Sequence, residues 1–186
     1  MKRIFDLIFG LIVSLLVFLP SLVISFIIKV STKGPVLHWS ERVGFNNKIF
    51  MMPKFRTMSL NTPQLATDLL EDPDSYYTPV GKFIRKYSLD EFPQIYSILR
   101  GDMSFVGPRP ALFNQYDLIE QRTKKEINKL IPGLTGWAQV NGRDELSIQN
   151  KVKFDAEYLK RKSLKFDFYI IYITLKKVVR RDGVSH

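Results

Sequence analysis

Residues 85–110 read RKYSLDEFPQIYSILRGDMSFVGPRP. Two adjacent carboxylates, Asp90 and Glu91, stand at the predicted start of a short helix, and Arg85 and Arg109 flank them in the sequence. Guanidinium groups bind phosphate through paired donors. A carboxylate repels phosphate unless a divalent cation lies between them or the carboxylate is itself the nucleophile. The combination predicts phosphoryl chemistry with a hard metal such as Mg²⁺.

The carboxylate pair also has a purely structural interpretation. Ser88 and Glu91 have the spacing of a capping box, in which Asp90 would be an ordinary first-turn acid that complements the helix dipole. Pro93 is tolerated near a helix start, where a missing N–H costs least. This interpretation predicts one helix over Leu89–Leu99.

Composition limits the alternatives for catalysis. The 186 residues carry a formal net charge of +10, which implies an anionic partner such as nucleic acid, a phosphorylated substrate or acidic lipid. The sequence contains no cysteine, which excludes disulfides, thiolate catalysis and cysteine metal sites. Its two histidines, His38 and His186, lie outside residues 85–110 and make a histidine zinc site very improbable. A carboxylate is therefore the candidate nucleophile.

The N-terminus contains the uncharged run Leu7–Ile28, which as a helix would be ~33 Å long and could span a bilayer. A signal peptide is disfavoured, because the run is long and no small-residue cleavage site follows it. Pro20 and Ser21 instead favour a helix-break-helix hairpin over residues 1–33, with each half too short to cross. Such a hairpin keeps both basic flanks on the cytoplasmic face, as the charge rule requires. These flanks are Lys2, Arg3, Lys29 and Lys33.

The remaining residues, 34–186, are predicted to form one α+β domain at the cytoplasmic face, with a small β element and interfacial amphipathic helices. Short strands are expected over 36–39 and 48–52, and a surface loop over 59–77 with a helical turn near 64–70. Helices are expected over 111–130, 147–162 and 164–181, with a loop and a short strand over 134–141. The face of the last helix would serve either in the core or in the lipid headgroup layer, and we favour the second for part of it. That face comprises Phe168, Ile171, Leu175 and Val178.

Polar residues outside 85–110 complete the predicted site. Lys54 and Arg56 alternate along an extended chain, so both cations would lie on one side, either as a solvated face or in contact with phosphate. Gln139, Asn141 and Arg143 lie among glycines that suit close approach to a ligand.

Three motifs resemble the bacterial sugar transferase family, the small monotopic phosphoglycosyl transferases. They read Ser-Leu-Asp-Glu-x-Pro-Gln, Gly-Asp-Met-Ser-x-x-Gly-Pro-Arg-Pro and Pro-Gly-Leu-Thr-Gly-Trp-Ala-Gln-Val-Asn-Gly-Arg, and the resemblance extends over Lys2–Ser185. The family is known for a re-entrant hairpin with a Ser-Pro break, where this chain has Pro20-Ser21.

The resemblance implies a reaction and a location. Asp90 would attack the β-phosphate of a UDP-sugar and release UMP, and polyprenol (undecaprenyl) phosphate would then attack the phosphosugar-enzyme. Glu91 would bind Mg²⁺ and orient the pair. The partners implied are UDP-sugar, polyprenol phosphate and anionic lipids of the bacterial inner membrane, with no nucleic acid. The shared motifs select neither the sugar, the glycan pathway nor the oligomeric state.

Two other functions remain open from the residues. A metal-dependent glycosyltransferase would break the sugar–phosphate bond of the same donor and release UDP. A basic membrane or nucleic-acid binder would show no magnesium-dependent turnover at all, and nothing in its function would require a clustered carboxylate pair.

Overall fold

The computed structural model describes residues 1–63, 72–142 and 145–180. The helical turn expected near 64–70 and the side chain of Arg143 lie outside these ranges. The helices are α1 (Lys2–Ser31), α2 (Gly81–Lys86), α3 (Ile95–Arg100), α4 (Tyr116–Lys124), α5 (Trp137–Val140), α6 (Ile148–Arg161) and α7 (Leu164–Arg180). The strands are β1 (Leu37–Val43), β2 (Ile49–Phe55), β3 (Ser104–Val106), β4 (Ala111–Leu112) and β5 (Gly133–Thr135). The predicted α+β class is confirmed.

Helix α1 continues through Pro20, so the predicted interruption at Pro20-Ser21 is not observed. An interior proline removes one hydrogen bond and clashes with the preceding turn, which either bends a helix or ends it, and α1 does not end here. Within the described residues α1 is the one helix long and apolar enough to cross a membrane. Its central turns expose large apolar side chains, with Leu15 81% and Leu19 68% exposed.

The first turns of α1 are joined to the rest of the protein by polar contacts. Lys2 forms an ion pair with the buried carboxylate of Asp167 in α7. Asp6 is 2% exposed and accepts hydrogen bonds from the Ser104 hydroxyl (3.0 Å) and the Phe105 amide (3.2 Å) of β3. These contacts fix the N-terminal end of α1 against β3 and α7.

The last turn of α1 is joined to the same body of protein. Arg56 donates through its guanidinium to the Thr32 hydroxyl (2.5 Å) and the Lys33 carbonyl (2.8 Å). Ile28 packs in an apolar cluster with Phe55 and Ile84. Both ends of α1 therefore contact one folded domain.

The strands form two small sheets. In the first, the order is β2-β1-β4 and all pairs are antiparallel, with His38 opposite Lys54. In the second, β3 pairs in parallel with β5. The main core lies where β3 meets α3, α6 and α7, and it includes Ile98, Phe105, Val106, Tyr158 and Ile170.

Two predictions of secondary structure downstream of Pro110 are wrong. The helix expected from Ala111 begins only at Tyr116, because Ala111 and Leu112 pair with the end of β1. The strand expected within 134–141 comes first, as β5, and α5 follows Gly136. In both places a long-range strand pairing outweighs the local pattern.

Helices α6 and α7 confirm the two helices predicted over 147–162 and 164–181. Ser147 caps α6 by accepting from the Asn150 amide (3.3 Å). On α7, Phe166 and Ile170 face the core, whereas Phe168 and Leu175 are more than half exposed. The apolar stripe identified in the sequence is thus mainly an exposed face of α7.

Candidate active site

The segment that carries the carboxylate pair is not one regular helix. Leu89–Gln94 is a 3₁₀ helix, and α3 follows it. Ser88 adopts a left-handed conformation (φ 53°) and makes no capping bond with its side chain, so the predicted capping box is wrong. An N-cap residue needs extended backbone for its hydroxyl to reach the third helical amide. The Glu91 carboxylate meets cations from other elements instead.

Asp90 and Glu91 share a cationic partner from β2. The ammonium of Lys54 lies 3.7 Å from Asp90 Oδ2 and 3.4 Å from Glu91 Oε1. The guanidinium of Arg109 approaches the same Glu91 oxygen at 3.2 Å. Asp90 is 7% exposed, so its carboxylate is held in a dry, positively charged setting.

Burial governs the ionisation of this cluster. It raises the pKa of Asp90 by penalising the charged carboxylate, while Lys54 lowers that pKa and Glu91 raises it further. Burial likewise lowers the pKa of Lys54, and the two carboxylates oppose that change. Both groups are held closer to neutrality than on a surface, as is common for reacting groups.

Arg85 acts on Asp90 through its charge, which lowers the pKa of that carboxyl. Its guanidinium lies over the Tyr77 ring at 5.7 Å and contacts Met58 Sδ. Aromatic stacking of this kind holds a planar guanidinium in place without neutralising it. Arg85 therefore remains an anion-binding candidate at the edge of the pair.

Three glycines bring the Arg109 loop into close contact with β5. A Cβ on Gly136 would lie 2.0 Å from the Gly107 carbonyl oxygen, and one on Gly133 would lie 2.1 Å from the Gly107 nitrogen. Gly133 and Gly136 belong to the glycines that were expected to permit close approach of a ligand. In the structure they permit close approach of two backbone segments. Their packing joins the motif that contains Arg109 to the motif that contains Gln139.

A groove of about 1050 Å³ opens beside the pair, with Glu91 and Arg109 at its polar part. Apolar side chains of α1 and α7 form much of its remaining wall. They include Phe9, Val13, Val17, Ile171, Leu175 and Val178. The groove is thus amphiphilic, with charged side chains such as Glu91 and Arg109 among apolar ones.

Gln139 lines the same groove and is 9% exposed. Neither its amide oxygen nor its amide nitrogen has a hydrogen-bond partner within the described residues. A buried amide without partners costs free energy, so such a group in a groove indicates a missing partner such as a ligand or ordered water. Asn141 lines the groove as well and donates to the Trp137 carbonyl at 2.7 Å.

The residues predicted for the site lie in different places in the structure. It brings Lys54, Arg85 and Arg109 around Asp90 and Glu91, and it places Gln139 and Asn141 on the adjoining groove. Arg56 does not join them. Strand β2 ends at Phe55, so the alternation that predicted a shared side does not extend to Arg56, which lies against the end of α1.

Sequence reasoning missed Arg122 and Asp155, which support the Arg109 loop from behind. Asp155 is 1% exposed and forms a salt bridge to Arg122. One signal was available: Asp155 lies among Val152, Ala156 and Leu159 on neighbouring turns of a predicted helix. A charge on an apolar helical face indicates a buried pair.

The carboxylate pair fits Mg²⁺ that arrives with a phosphorylated substrate. Mg²⁺ is commonly held by one or two carboxylates together with substrate phosphate oxygens and water. Among the described residues no group of three or more His, Cys, Asp or Glu forms a complete protein site. Glu91, which lines the groove, and the adjacent Asp90 supply the oxygen ligands that the shared mode requires.

Known proteins resemble this chain over nearly its whole length. It is 36% identical over 202 residues to an undecaprenyl-phosphate galactose phosphotransferase of Salmonella typhimurium, covering 98% of this chain and 41% of the relative. It is 37% identical over 186 residues to the UDP-glucose:undecaprenyl-phosphate glucose-1-phosphate transferase of Escherichia coli K12, covering 95% and 40%. An uncharacterized sugar transferase of Bacillus subtilis is 35% identical over 188 residues, covering 100% and 90%.

This chain spans about two fifths of the Salmonella and Escherichia relatives and most of the Bacillus one. The family model described as bacterial sugar transferase matches residues 1–181. That match includes the carboxylate pair, the Arg109 loop and the groove. The chain therefore belongs to the bacterial sugar transferase family.

Proposed function

We propose that this protein transfers a sugar 1-phosphate from a UDP-sugar to polyprenol phosphate, giving polyprenol-diphosphate-sugar and UMP and so initiating glycoconjugate assembly. The observation that carries the proposal is the carboxylate pair, with Asp90 buried and cations beside both groups, next to a largely apolar groove. Charged groups bind the diphosphate of a nucleotide sugar. Apolar walls from α1 and α7 suit the hydrocarbon of a lipid acceptor. The name of the Escherichia coli relative gives UDP-glucose and undecaprenyl phosphate, and that of the Salmonella relative gives undecaprenyl phosphate and galactose.

Asp90 is the proposed nucleophile. One of its carboxylate oxygens bonds to the β-phosphorus, the bond from that phosphorus to the bridging oxygen breaks, and UMP leaves with the electron pair. A phosphate oxygen of the acceptor then attacks the same phosphorus, and the Asp90 carboxylate is released. Splitting the transfer in this way replaces one attack of phosphate on diphosphate by two displacements.

Cations make an attack of one anion on another possible. Lys54, Arg85 and Arg109 supply positive charge around the pair, and Arg109 and Lys54 both approach Glu91. Mg²⁺ held by Glu91 and Asp90 would neutralise oxygens of the donor diphosphate. Burial raises the pKa of Asp90 and the charge of Lys54 lowers it, so Lys54 favours the ionised form of the proposed nucleophile.

The attachments of α1 support a monotopic placement on the cytoplasmic side of the inner membrane. A straight spanning helix would carry one end across ~30 Å of hydrocarbon and away from the catalytic domain. Both ends of α1 contact that domain, while its middle exposes apolar side chains. A continuous helix that bends at Pro20, enters the bilayer and returns would satisfy both observations. The exposed face of α7 and the nearby Lys176 suit the anionic headgroup layer.

The products of the reaction test the proposal. Purified protein in detergent or nanodiscs would be incubated with undecaprenyl phosphate, Mg²⁺ and a panel of UDP-sugars, including UDP-galactose and UDP-glucose. We expect UMP and a lipid diphosphate sugar from at least one donor. Release of UDP, in which the diphosphate stays intact and the sugar–phosphate bond is broken, would instead indicate a glycosyltransferase. No turnover with any donor would indicate a binding protein.

Replacement of the nucleophile tests the covalent step. Asp90→Asn keeps the shape of the side chain, removes its nucleophilic charge and should lower turnover by at least about 10³-fold. Mass spectrometry of the native protein mixed with donor alone should detect a phosphosugar adduct that the variant lacks. Full activity in Asp90→Asn, or an adduct on another residue, would disprove the role of Asp90.

A further inference from the structure

The loop around Arg109 is held by its carbonyl oxygens. Prolines on both sides of Arg109 have no backbone N–H, so this loop cannot join a sheet ladder through those positions. Three consecutive carbonyls nevertheless have a donor, each from a different element. The donors are the Gly133 amide to Pro108 (2.9 Å), Arg122 Nη1 to Arg109 (2.8 Å) and Arg42 Nη1 to Pro110 (3.2 Å).

Arg122 is itself fixed from the opposite direction. Its Nε and Nη2 donate to Asp155 Oδ2 at 2.9 Å and 2.7 Å. Asp155 is fully buried on α6, and Arg122 lies on α4. The planar guanidinium thus binds the core with one edge and holds the Arg109 carbonyl with the other. A lysine ammonium cannot reproduce this fixed two-sided geometry.

We propose that Arg122, oriented by Asp155, is a positioning residue that sets the Arg109 side chain against Glu91 for phosphoryl transfer. The inference rests on the proposed function, in which Arg109 binds substrate phosphate. Neither α4 nor α6 supplies a charged group around Asp90. Through Arg122 and Asp155, these two helices would nevertheless influence the geometry of the reaction. Small displacements of a positioning group reduce rate steeply, because the reacting atoms lose alignment.

A double-mutant cycle tests the link. Arg122→Lys, Arg109→Lys and the double variant would be compared by kcat and by KM for the UDP-sugar. We expect Arg122→Lys to reduce kcat/KM by about 10- to 100-fold. The double variant should be no slower than Arg109→Lys, because Arg122 acts only through Arg109. Losses that multiply in the double variant would overturn the inference.

A second variant separates positioning from stability. Arg122→Met alone leaves the buried Asp155 charge unpaired and should unfold more easily, whereas Arg122→Met with Asp155→Leu removes both charges. We expect the pair of changes to restore the Tm toward the native value while kcat/KM stays at least about tenfold low. Recovery of activity together with stability would show that the salt bridge is only structural and would overturn the inference. If this variant does not fold, the cycle with Arg122→Lys decides.

Arg161 on α6 provides a matched control. Its guanidinium forms an ion pair with Glu157 of the same helix near the surface and lies over the Phe166 ring at 4.2 Å. Arg161→Met therefore also removes an arginine that is paired with a carboxylate. It should change Tm modestly and leave kcat/KM within about twofold. Full activity in Arg109→Lys would reject the role of Arg109 in the proposed function and the inference with it. Low activity in Arg109→Lys with native activity in Arg122→Lys would reject the inference alone.

Discussion

Lys54 and Asp90 are largely buried groups whose charges act on each other. Burial raises the pKa of the aspartate and lowers that of the lysine, and each charge opposes the change in its partner. The Lys54 cation, 3.7 Å from Asp90 Oδ2, therefore favours the ionised form of the Asp90 carboxyl. For the proposed reaction we expect this coupling to shape the dependence of the rate on pH.

Removing that cation should move the acid limb of the rate profile. If Asp90 is the nucleophile, the rate should rise with pH as its carboxyl loses a proton, and loss of the Lys54 charge should raise the pKa of Asp90 further. In Lys54→Met we expect the limb of kcat/KM to shift to higher pH, measured from pH 5 to 9. Lys82→Met is the control, because Lys82 forms an exposed pair with Asp74. An unshifted limb in Lys54→Met would contradict the coupling.

At the scale of elements, the contact between β5 and the Arg109 loop depends on space. Gly136 has an extended backbone (φ −176°) that any residue can adopt. What excludes a side chain is the Gly107 carbonyl, 2.0 Å from a Cβ built at this position. Neither backbone segment can give way easily, because the hydrogen bonds on both sides fix them.

Gly136→Ala should therefore destabilise the fold by about 3 kcal/mol or more and greatly reduce activity. Thermal unfolding in detergent measures the change. Gly10→Ala is the matched control: its Cβ would meet only the flexible end of Leu99 at 3.0 Å, within a helix. We expect little change there, since alanine also favours helix over glycine. Equal Tm values for the two variants would argue against the close packing.

Arg56 belongs to the attachment of α1 and not to the reacting groups. It is 4% exposed and donates to Thr32 and Lys33 at the end of that helix. Arg56→Met should lower stability by about 2 kcal/mol and leave KM for the UDP-sugar within about twofold. A large rise in KM with unchanged stability would instead return Arg56 to the phosphate site.

At the scale of the whole molecule, the question is on which side of the membrane each end of α1 lies. The contacts of Asp6 and Arg56 hold both ends against one domain, so one aqueous compartment should reach both. The native chain has no cysteine, which permits labelling of single introduced cysteines.

Ile4→Cys and Lys33→Cys would be treated with a membrane-impermeant maleimide in inverted vesicles and in spheroplasts. We expect both to be labelled only in inverted vesicles. Leu15→Cys, at a position 81% exposed in the middle of α1, should resist labelling from either side because lipid covers it. Labelling of one end from each side would establish a spanning helix and reject the monotopic placement.

Much of the candidate site could be predicted from the sequence because its residues are neighbours in the chain. Asp90 and Glu91 are adjacent, and prolines flank Arg109. The apolar length of α1 and the bounds of α6 and α7 follow from composition and period, which are also local properties. The sequence by itself therefore determined the candidate carboxylate pair, the α+β class and the presence of a membrane-compatible segment.

Only the tertiary structure decided how these parts meet. Lys54 and Arg56 look equivalent in the sequence, yet the end of β2 between them directs one to the carboxylates and the other to α1. The left-handed Ser88 and the Arg122–Asp155 pair likewise depend on contacts between residues far apart in the chain. Local sequence sets which conformations are accessible, whereas packing and the pairing of buried charges select one of them, and that selection is a property of the folded whole.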